Sequence, residues 1–498
     1  MCRGSAGWSS TLSTSSCPRP AAARPAQVAA AAPTWSGSIN LTPAQLGQLQ
    51  AAVGADCLLT DPADCWTYGY DNSRLQGRPL AVVLAESSGQ IQRLLTFCIE
   101  HQLPLIPRGR GTGTTGAAVP DQGGLVLSFE RMNQILHIDP ANRLARVQPG
   151  LTNQALQDAL RPLGFFWPPD PTSAAYCSIG GNLAYNSAGP RAVKYGTPRE
   201  NTLGLSAVIG TGQVLHTGVE TTKGVVGYDL TRLLIGSEGT LGLITEATLK
   251  LSPLSEAKRT LQAVYKDMDA AAQAVSAIMA QPVIPCALEM MDSAALRLVR
   301  RFSDPGLPEA AGALLMIEVD GAAAGLDQAA EALAQAASNP GLISVEIAQD
   351  EAQVKRLWKT RKSLSPALRN AAPKKINEDI VVPVSRIPEL IAGLDALSRQ
   401  HAIDIVNFGH AGNGNIHVNL MYDPEQGNAS ERAQQCLSDA LVLVLRLHGT
   451  LSGEHGIGLA KRDFVAQELD PVGLEMMQAI KRQFDPHNIL NPGKGLPQ

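Results

Sequence analysis

Apolar residues recur at helical spacing and in short buried runs from about residue 41 onward, which predicts alternating helices and strands. In the first predicted helix, Thr42 is the cap and Pro43 occupies the first turn, with later leucines on one face. The run PLAVVLAES at 79–87 is typical of a buried strand, and a helix with one apolar face follows it. Shorter strands separated by turn residues continue to residue 253. We therefore predict a first domain over 41–253.

The pattern changes from about residue 254. Ala-rich amphipathic stretches such as DAAAQAVSAIMAQ alternate with strands such as ALLMIEVDG. Helices that cover one face of an antiparallel sheet produce this pattern. We predict a second domain over 254–440, which would bind substrate as a cap, and a C-terminal segment over 441–498 that ends in a Pro- and Gly-rich tail.

Bulk composition is that of an ordinary globular protein. The chain has 498 residues, 44% of them hydrophobic and 17% charged, and a formal net charge of −4. This charge gives no basic field, so nucleic acid is not expected as a partner. No apolar run approaches the roughly 18 residues of a spanning helix, and we expect a soluble chain rather than a transmembrane one. The eight cysteines are scattered without a CxxC pair, which favours a reducing compartment.

Residues 1–40 differ from the rest of the chain. They are rich in Ala, Ser and Pro, carry Arg3, Arg19 and Arg24, and contain no acidic residue. Such a segment cannot bury a core, and we predict that it is disordered. Its composition also fits an organelle transit segment, a plain linker or a start assigned too early. The predicted location is the cytoplasm for a bacterial protein and the mitochondrion if the segment is a targeting sequence.

Three glycine-rich stretches lie between the predicted strands of the first domain. The stretch 107–120 contains a literal G-x-G-x-x-G at Gly111, Gly113 and Gly116. A Rossmann fold requires the third glycine to open a helix, whereas here the turn-like AAVPDQGG follows it, and we reject that fold. The backbone N–H groups of such a loop can instead wrap a pyrophosphate. Together with the stretches 168–196 and 227–251, the loop indicates one large nucleotide cofactor.

These segments resemble the FAD-binding domain of the vanillyl-alcohol oxidase and p-cresol methylhydroxylase family, and within it the FAD-linked D-2-hydroxy acid dehydrogenases, which act on D-lactate, D-2-hydroxyglutarate or glycolate. The resemblance runs from about residue 45 to the C-terminus. It is carried by P-R-G-x-G-T-G in the first loop, S-I-G-G-N, N-S-A-G and K-Y-G in the second, G-S-E-G-T-L-G in the third, and N-P-G-K-G in the tail. It implies an α+β fold, with a two-subdomain FAD-binding domain of the p-cresol methylhydroxylase type and a cap domain whose antiparallel sheet is covered by helices.

The resemblance also implies how FAD is bound. Some members carry a histidine in the first loop that tethers the flavin covalently. This chain has Arg108 and Arg110 there, so we predict non-covalent FAD. The predicted cofactor-binding residues are Pro107, Arg108, Gly109, Gly111, Thr112, Gly113, Thr114, Pro171, Ser178, Gly180, Gly181, Asn182, Asn186, Ser187, Gly189, Tyr195, Gly196, Glu238, Gly239, Ile244 and Asn491.

A second constellation combines imidazoles and a carboxylate in glycine-rich loops. His410 and His417 stand seven positions apart with glycines around them, and SGEHGIG at 452–458 places Glu454 next to His455. Residues seven apart on a regular strand face opposite ways, so the two imidazoles converge only if the chain folds back in a tight loop. Three N/O ligands and an open position describe a catalytic divalent metal site, with Zn²⁺ or Mn²⁺ the most plausible ion.

The resemblance assigns roles within this constellation. His410, His417 and Glu454 match the family's metal ligands, and His455 matches its catalytic base. Adjacent residues of an extended loop point apart, so Glu454 and His455 can serve different atoms. The chain departs from the family at Asn413, where the family often has Asp, and this removes a charge near the metal site.

The implied reaction is oxidation of a D-2-hydroxy acid to the 2-oxo acid. The metal chelates the acid and makes its hydroxyl group more acidic, His455 takes the hydroxyl proton, and hydride passes from C2 to the flavin. Arg361 resembles the family's carboxylate-binding arginine and offers a bidentate fork. Asn419 faces the same side of a strand as His417, and we predict that it holds a substrate oxygen.

Several alternatives remain open. The chain could be a glycolate oxidase flavoprotein subunit or a non-redox FAD transferase of the same fold, and the histidine pattern disfavours the transferase. An inactive assembly subunit would be expected to lose the Glu-His dipeptide, and a metal hydrolase has no use for three glycine loops. The predicted electron acceptor is a quinone, a cytochrome or an electron-transfer flavoprotein, and a homodimer is common in the family. The pattern does not identify the 2-hydroxy acid.

Overall fold

The computed structural model describes residues 40–304 and 306–497. Apart from Asn40, the predicted N-terminal segment lies outside these residues. The strands of the first part are β1 (Leu58–Leu59), β2 (Ala81–Leu84), β3 (Leu105–Arg108), β4 (Leu125–Ser128), β5 (Ile135–Asp139), β6 (Leu144–Val147), β7 (Phe165–Phe166), β8 (Thr202–Ile209), β9 (Val214–Gly218), β10 (Gly242–Lys250) and β11 (Ser252–Pro253). Its helices are α1 (Pro43–Val53), α2 (Pro62–Trp66), α3 (Ser88–His101), α4 (Asn153–Leu160), α5 (Ile179–Tyr185), α6 (Ala192–Tyr195) and α7 (Leu230–Leu234).

Two main sheets build this first part. One has the strand order β1-β2-β4-β3, with β4 parallel to both β2 and β3, and the other is antiparallel with the order β5-β6-β10-β8-β9. Strands β2 and β3 run in the same direction because α3 crosses between them. Ser87 caps α3 by accepting a hydrogen bond from the N–H of Gln90, and the predicted apolar face of the helix packs into the core. The predicted strand–helix–strand alternation is confirmed here.

One seven-stranded antiparallel sheet dominates the second part, with the order β15-β12-β14-β13-β17-β18-β16. Its strands are β12 (Ala257–Tyr265), β13 (Ala287–Met291), β14 (Ala313–Gly321), β15 (Leu342–Ile347), β16 (Lys374–Val381), β17 (Asp404–His410) and β18 (Asn415–Tyr422). The helices are α8 (Met268–Ala280), α9 (Ser293–Phe302), α10 (Leu326–Ala336), α11 (Glu351–Ala371), α12 (Ile387–His401), α13 (Ala429–Arg446), α14 (Val465–Glu468) and α15 (Pro471–Phe484). The predicted boundary at 440 falls inside α13.

Helices cover both faces of this sheet, not one face as the sequence pattern suggested. Helices α8, α10, α12 and α13 pack on one face, and α9 and α11 pack on the other. The reason lies in strands such as β14, where seven consecutive residues are buried, so that both faces are apolar and need cover. Within the described part of the chain, no helix is both long and apolar enough to cross a bilayer.

Strand alternation selects the face that carries polar side chains. On β16 and β18, Ile380 and Ile416 point into the core under α8, α12 and α13, so Asp379 and His417 point to the opposite face, the one that bears α11. Glu289 and His410 lie on that face too. The register then brings them into pairs, because Glu289 is directly opposite His410 and Asp379 is directly opposite His417.

Candidate active site

A cavity of about 720 Å³ is lined by all three predicted glycine loops and by the polar face of the seven-stranded sheet. This volume lies within the usual range of ligand pockets. Of the predicted cofactor-binding residues, those that line it are Pro107, Arg108, Gly109, Gly111, Thr112, Gly113, Thr114, Pro171, Ser178, Gly180, Gly181, Asn182, Ser187, Glu238, Gly239 and Ile244.

The other predicted cofactor-binding residues do not line the cavity: Asn186, Gly189, Tyr195, Gly196 and Asn491. The Tyr195 hydroxyl donates to Asp320 of β14 (2.8 Å), so the K-Y-G motif joins the second glycine loop to the large sheet. Asn491 lies behind the cavity wall, where its side-chain amide donates to the carbonyls of Ala117 (2.9 Å) and Glu238 (2.8 Å). Tyr195 and Asn491 thus support the wall from outside.

Close packing of one loop on another explains the glycines. Gly239 has φ of +72°, and a Cβ there would lie 2.4 Å from Cγ of Pro107, so the third loop can rest against the first only with glycine. The guanidinium of Arg108 is engaged by the protein itself, because it donates to the carbonyls of Tyr70 (2.6 Å) and Thr67 (3.2 Å).

The hairpin β17–β18 brings the two predicted metal-binding histidines together. A 3₁₀ turn at Ala411–Asn413 reverses the chain, and Gly414 follows it with φ of +71°. A Cβ at Gly414 would lie 1.9 Å from the carbonyl oxygen of Val382, so this tight turn requires glycine. The rings of His410 and His417 come within 5.2 Å between centroids. The predicted convergence is therefore present, and it depends on the turn.

Glu454 completes a cluster with these histidines. Its Oε1 lies 3.3 Å from Nε2 of His410 and 3.5 Å from Nε2 of His417. One donor atom from each of the three residues lies within 4.8 Å of the others. Ligands about 2 Å from one tetrahedral ion stand roughly 3.3 Å apart, so the spacing fits a single small cation. The N–H of Gly189 donates to the other oxygen, Oε2 (2.9 Å), and orients the carboxylate.

The electrostatics of this cluster favour a cation. Burial alone would lower the pKa of His410, but the carboxylates of Glu289 and Glu454 outweigh it and raise that pKa to about 10. Glu289 hydrogen-bonds Nδ1 of His410, which leaves Nε2 on the side of Glu454. For His417, burial and the neighbouring His455 lower the pKa to about 3, so this imidazole is neutral, as metal ligation requires. His410 would exchange its proton for a bound ion.

A loop held by Asp379 carries Glu454 and His455. Oδ2 of Asp379 accepts from the N–H groups of Gly453 (2.7 Å), Glu454 (2.6 Å) and His455 (3.1 Å). Burial opposes ionisation of Asp379, but the ammonium of Lys461 at 2.8 Å and these donors outweigh it and hold its pKa well below the ordinary value. Asp379 is therefore a buried carboxylate at neutral pH.

His455 lines the cavity beside the cluster. Its ring stacks on that of His417 with 5.2 Å between centroids, and Glu454 turns the other way, toward the two ligand histidines. The Nδ1 atom of His455 lies 3.5 Å from Oδ1 of Asp379. The structure thus brings His410, His417, Glu454 and His455 together at one wall.

The two predicted substrate-binding residues are placed differently. Arg361 lines the cavity, but its guanidinium is 3.2 Å from Glu289 and lies over the ring of Phe408, 4.6 Å from the centroid. Asn419 is fully buried and is not a lining residue; its amide donates to the carbonyl of Val406 at 3.3 Å. A contact between Asn419 and substrate stays a prediction.

Sequence reasoning did not identify two acidic residues, Glu289 and Asp379, that position the predicted metal ligands and base. Glu289 and Asp379 come from β13 and β16, far from the histidine motif in the chain, and only strand register brings them to it. For Glu289 the available signal was an acidic residue inside an otherwise apolar strand, ALEMM, whereas the strand of Asp379, KKINEDIV, is largely polar and gave no such signal. Lys375 and Arg369 also line the cavity. Burial, with Arg74 and Arg369 nearby, lowers the pKa of Lys375, as expected of a cation without an acidic neighbour.

Comparison with solved structures shows which fold the chain has. The fold matches p-cresol methylhydroxylase with substrate bound at a TM-score of 0.75 and 18% identity, covering 92% of this chain and 98% of that one. It matches an alkyldihydroxyacetonephosphate synthase at a TM-score of 0.69 and 21% identity, covering 91% and 86%. The chain therefore has the fold of the p-cresol methylhydroxylase-type FAD-binding proteins, as predicted.

Sequence comparison gives the family. An FAD binding domain model matches residues 79–218, and a model of the C-terminal domain of FAD linked oxidases matches residues 254–495. The glycolate oxidase subunit GlcD of Bacillus subtilis is 41% identical over 86% of this chain and 91% of its own length. A D-lactate dehydrogenase of Anaerostipes hadrus is 33% identical (86% and 92%), and a D-2-hydroxyglutarate dehydrogenase of Xanthomonas citri pv. viticola is 34% identical (91% and 97%). The chain belongs to the family of FAD-linked oxidases.

Proposed function

We propose that this protein is an FAD-dependent dehydrogenase that oxidises a 2-hydroxy acid of the D-lactate, D-2-hydroxyglutarate or glycolate class to the 2-oxo acid. The observation that carries the proposal is the position of His455, which lines the loop-walled cavity directly beside the cluster of His410, His417 and Glu454. A base next to a cation site suits removal of a proton from an alcohol. The related proteins are named for different acids of this one class.

FAD is the cofactor that the cavity fits. The three loops offer backbone donors, and Gly239 and its neighbours keep the wall free of side chains where the loops approach each other. When bound, FAD supplies the acceptor for hydride from C2 of the acid. We propose non-covalent binding, since the first loop holds arginine rather than histidine. The electrons would pass on to a quinone, a cytochrome or an electron-transfer flavoprotein, and we propose that the protein is a homodimer, as is common in the family.

His410, His417 and Glu454 would hold a divalent ion, Zn²⁺ or Mn²⁺. The donor set of two imidazole nitrogens and one carboxylate oxygen is typical of catalytic zinc sites. Such an ion makes the hydroxyl group of a chelated hydroxy acid more acidic. The carboxylate of Glu289 behind His410 fixes the ring with Nε2 directed at the site, the usual support for a ligand histidine.

The remaining residues suit an anionic substrate. Arg361, Arg369 and Lys375 line one region of the cavity and attract a carboxylate. His455 then accepts the hydroxyl proton. Because Glu289 already neutralises part of the charge of Arg361, the other two cations provide most of the remaining positive charge.

The test is an anaerobic panel of D- and L-2-hydroxy acids added to the FAD-bound protein, read as loss of the yellow flavin absorbance. We expect at least one acid of the class to bleach the flavin. Replacing His455 with Ala should slow bleaching on the order of 10²–10⁴-fold with FAD still bound, whereas His487→Ala, at an exposed histidine away from the cavity, should not. Flavin that stays oxidised with every acid would favour the non-redox transferase instead.

A further inference from the structure

We propose that Asp379 is a positioning residue for the proton-transfer step: it shapes the loop 452–456 and orients the His455 ring with Nδ1 toward its own carboxylate. The inference rests on the proposed function, because it assigns how the base of that reaction is prepared.

The first observation is the hydrogen bonding of the loop. Three consecutive N–H groups, those of Gly453, Glu454 and His455, converge on Oδ2 of Asp379. Ser452 also donates from its hydroxyl to Oδ1 (2.9 Å) and accepts from the N–H of Gly456 (2.9 Å), which closes the turn. A carboxylate that gathers consecutive N–H groups fixes the backbone around it.

The consequence is that adjacent side chains diverge. With the backbone held this way, Glu454 reaches His410 and His417 and His455 stacks on the ring of His417, and both side chains line the cavity. A loop without this anchor could let the carboxylate and the imidazole exchange places. Oδ2 of Asp379 therefore determines the direction of both the proposed metal ligand, Glu454, and the proposed base, His455.

The second observation concerns the ring of His455. Its Nδ1 is buried and has no hydrogen-bond partner among the described residues, and Oδ1 of Asp379 at 3.5 Å is its nearby acceptor. A small ring rotation closes that hydrogen bond. An N–H at Nδ1 then leaves the lone pair on Nε2, the atom needed to accept a proton.

A second carboxylate, that of Glu378, limits the charge imbalance that a substitution of Asp379 creates. Lys461 is fully buried and pairs with Asp379 at 2.8 Å and with Glu378 at 3.1 Å. In Asp379→Asn, Lys461 therefore keeps one carboxylate partner, and no uncompensated cation is left in the interior. The amide oxygen can still accept from the loop N–H groups. The NH₂ group replaces Oδ1, so it faces His455 and favours the tautomer protonated at Nε2, and it can no longer accept from Lys461 and Ser452.

The experiment measures anaerobic flavin reduction by a saturating 2-hydroxy acid in the FAD- and zinc-loaded protein. We expect Asp379→Asn to slow reduction on the order of 10²–10³-fold, with unchanged FAD content, zinc content and half-saturating acid concentration. The matched control is Glu378→Gln, at the neighbouring acid that pairs with the same lysine but makes no contact with the loop. In Glu378→Gln, the acid should reduce the flavin at the same rate as in the unmodified protein.

A double variant separates positioning from general damage. If Asp379 acts through His455, adding Asp379→Asn to His455→Ala should cause little further loss, because the two residues act as a unit. Losses that multiply, or a normal rate in Asp379→Asn, would overturn the inference. Failure of the unmodified protein to reduce its flavin would instead overturn the proposed function.

A measurement on the unmodified protein remains decisive if Asp379→Asn does not fold. Nitrogen NMR of ¹⁵N-histidine-labelled holoprotein, with the His455 signal assigned by its loss in His455→Ala, reports which ring nitrogen carries the proton. A proton on Nδ1 supports the inference. A proton on Nε2 would contradict it.

Discussion

At the scale of single residues, hydrogen bonds to neighbouring groups orient the side chains of the site. Glu289 hydrogen-bonds Nδ1 of His410, and the N–H of Gly189 donates to Oε2 of Glu454. The remaining atoms, Nε2 and Oε1, face each other at 3.3 Å. Two carboxylates around one imidazole make a local environment that stabilises a positive charge. The atoms that we propose as metal ligands are therefore oriented before an ion arrives.

Glu289→Gln tests this orientation. Glutamine keeps the size of the side chain but removes the charge behind His410, and we expect zinc affinity to fall roughly 10–100-fold with FAD still bound. Competition with a chromophoric chelator measures the affinity. Glu318→Gln is the control, since Glu318 is also buried on the same sheet but pairs with Lys258 rather than with a histidine. Equal zinc affinity in Glu289→Gln and the unmodified protein would contradict the assigned role.

Asp292 gives a pH-dependent prediction away from the cluster. Burial raises its pKa to about 6, against the hydrogen bonds from Ala295 and Asn407. Because the folded state holds the proton more tightly, this contribution to stability is full below pH about 4 and is lost as pH rises through about 6. At one pKa unit per 1.36 kcal/mol, the loss is up to about 3 kcal/mol.

Asp292→Asn should remove that dependence. The difference in unfolding free energy, variant minus unmodified protein, should rise between pH 4 and pH 6 and then stay level. Urea unfolding at several pH values measures it. Parallel curves for the two proteins across this interval would show that Asp292 ionises normally in the folded state.

At the scale of elements, the hairpin β17–β18 turns a linear motif into a site. The histidine pair and the Glu-His dipeptide could be predicted because residue type and nearby glycines point to ligands. Glu289 and Asp379 could not be predicted, because strand register alone brings them to the histidines. Glu289 is more than 100 residues from His410 in the chain, and Asp379 is about 30 residues from it. The helices on both sheet faces were missed for a related reason: a fully buried strand such as β14 does not alternate.

Gly414→Ala tests the contribution of the hairpin turn. A methyl group would meet the carbonyl of Val382 at a residue with positive φ, so we expect a loss of stability above about 1 kcal/mol and weaker zinc binding. Thermal unfolding and zinc stoichiometry measure the two effects. Gly427→Ala is a matched control, because Gly427 also has positive φ (+57°) but nothing within 4 Å of a Cβ. Similar behaviour of both variants would mean that the contact with Val382 is unimportant.

At the scale of the whole molecule, the C-terminal tail supports the loops that line the cavity. The C-terminal tail places Asn491 (φ +43°) between the first and third glycine loops, and its N–H donates to the carbonyl of Leu105 (3.0 Å) in β3. Glu238 of the third loop accepts from Ile457 and Gly458, just beyond the base. The loops that line the cavity and the loop that carries His455 are thus bound to one another.

Asn491→Ala tests the tail. Loss of two buried hydrogen bonds of about 1 kcal/mol each should loosen both loops and weaken FAD binding roughly tenfold or more. Flavin fluorescence during reconstitution of the apoprotein measures the dissociation constant. Asn488→Ala is the control, since Asn488 has a similar φ (+50°) but an exposed side chain. An unchanged constant in Asn491→Ala would exclude the tail as a support for FAD.

The central claim is that the histidine–glutamate cluster and the FAD loops serve one cavity, so that a 2-hydroxy acid can reduce the flavin only when the cluster holds its ion. The most direct measurement is anaerobic flavin absorbance in protein stripped of metal with FAD retained, before and after addition of zinc. We predict that the acid leaves the flavin yellow without zinc and bleaches it once zinc is added. Bleaching at the full rate in the metal-free protein would contradict the account.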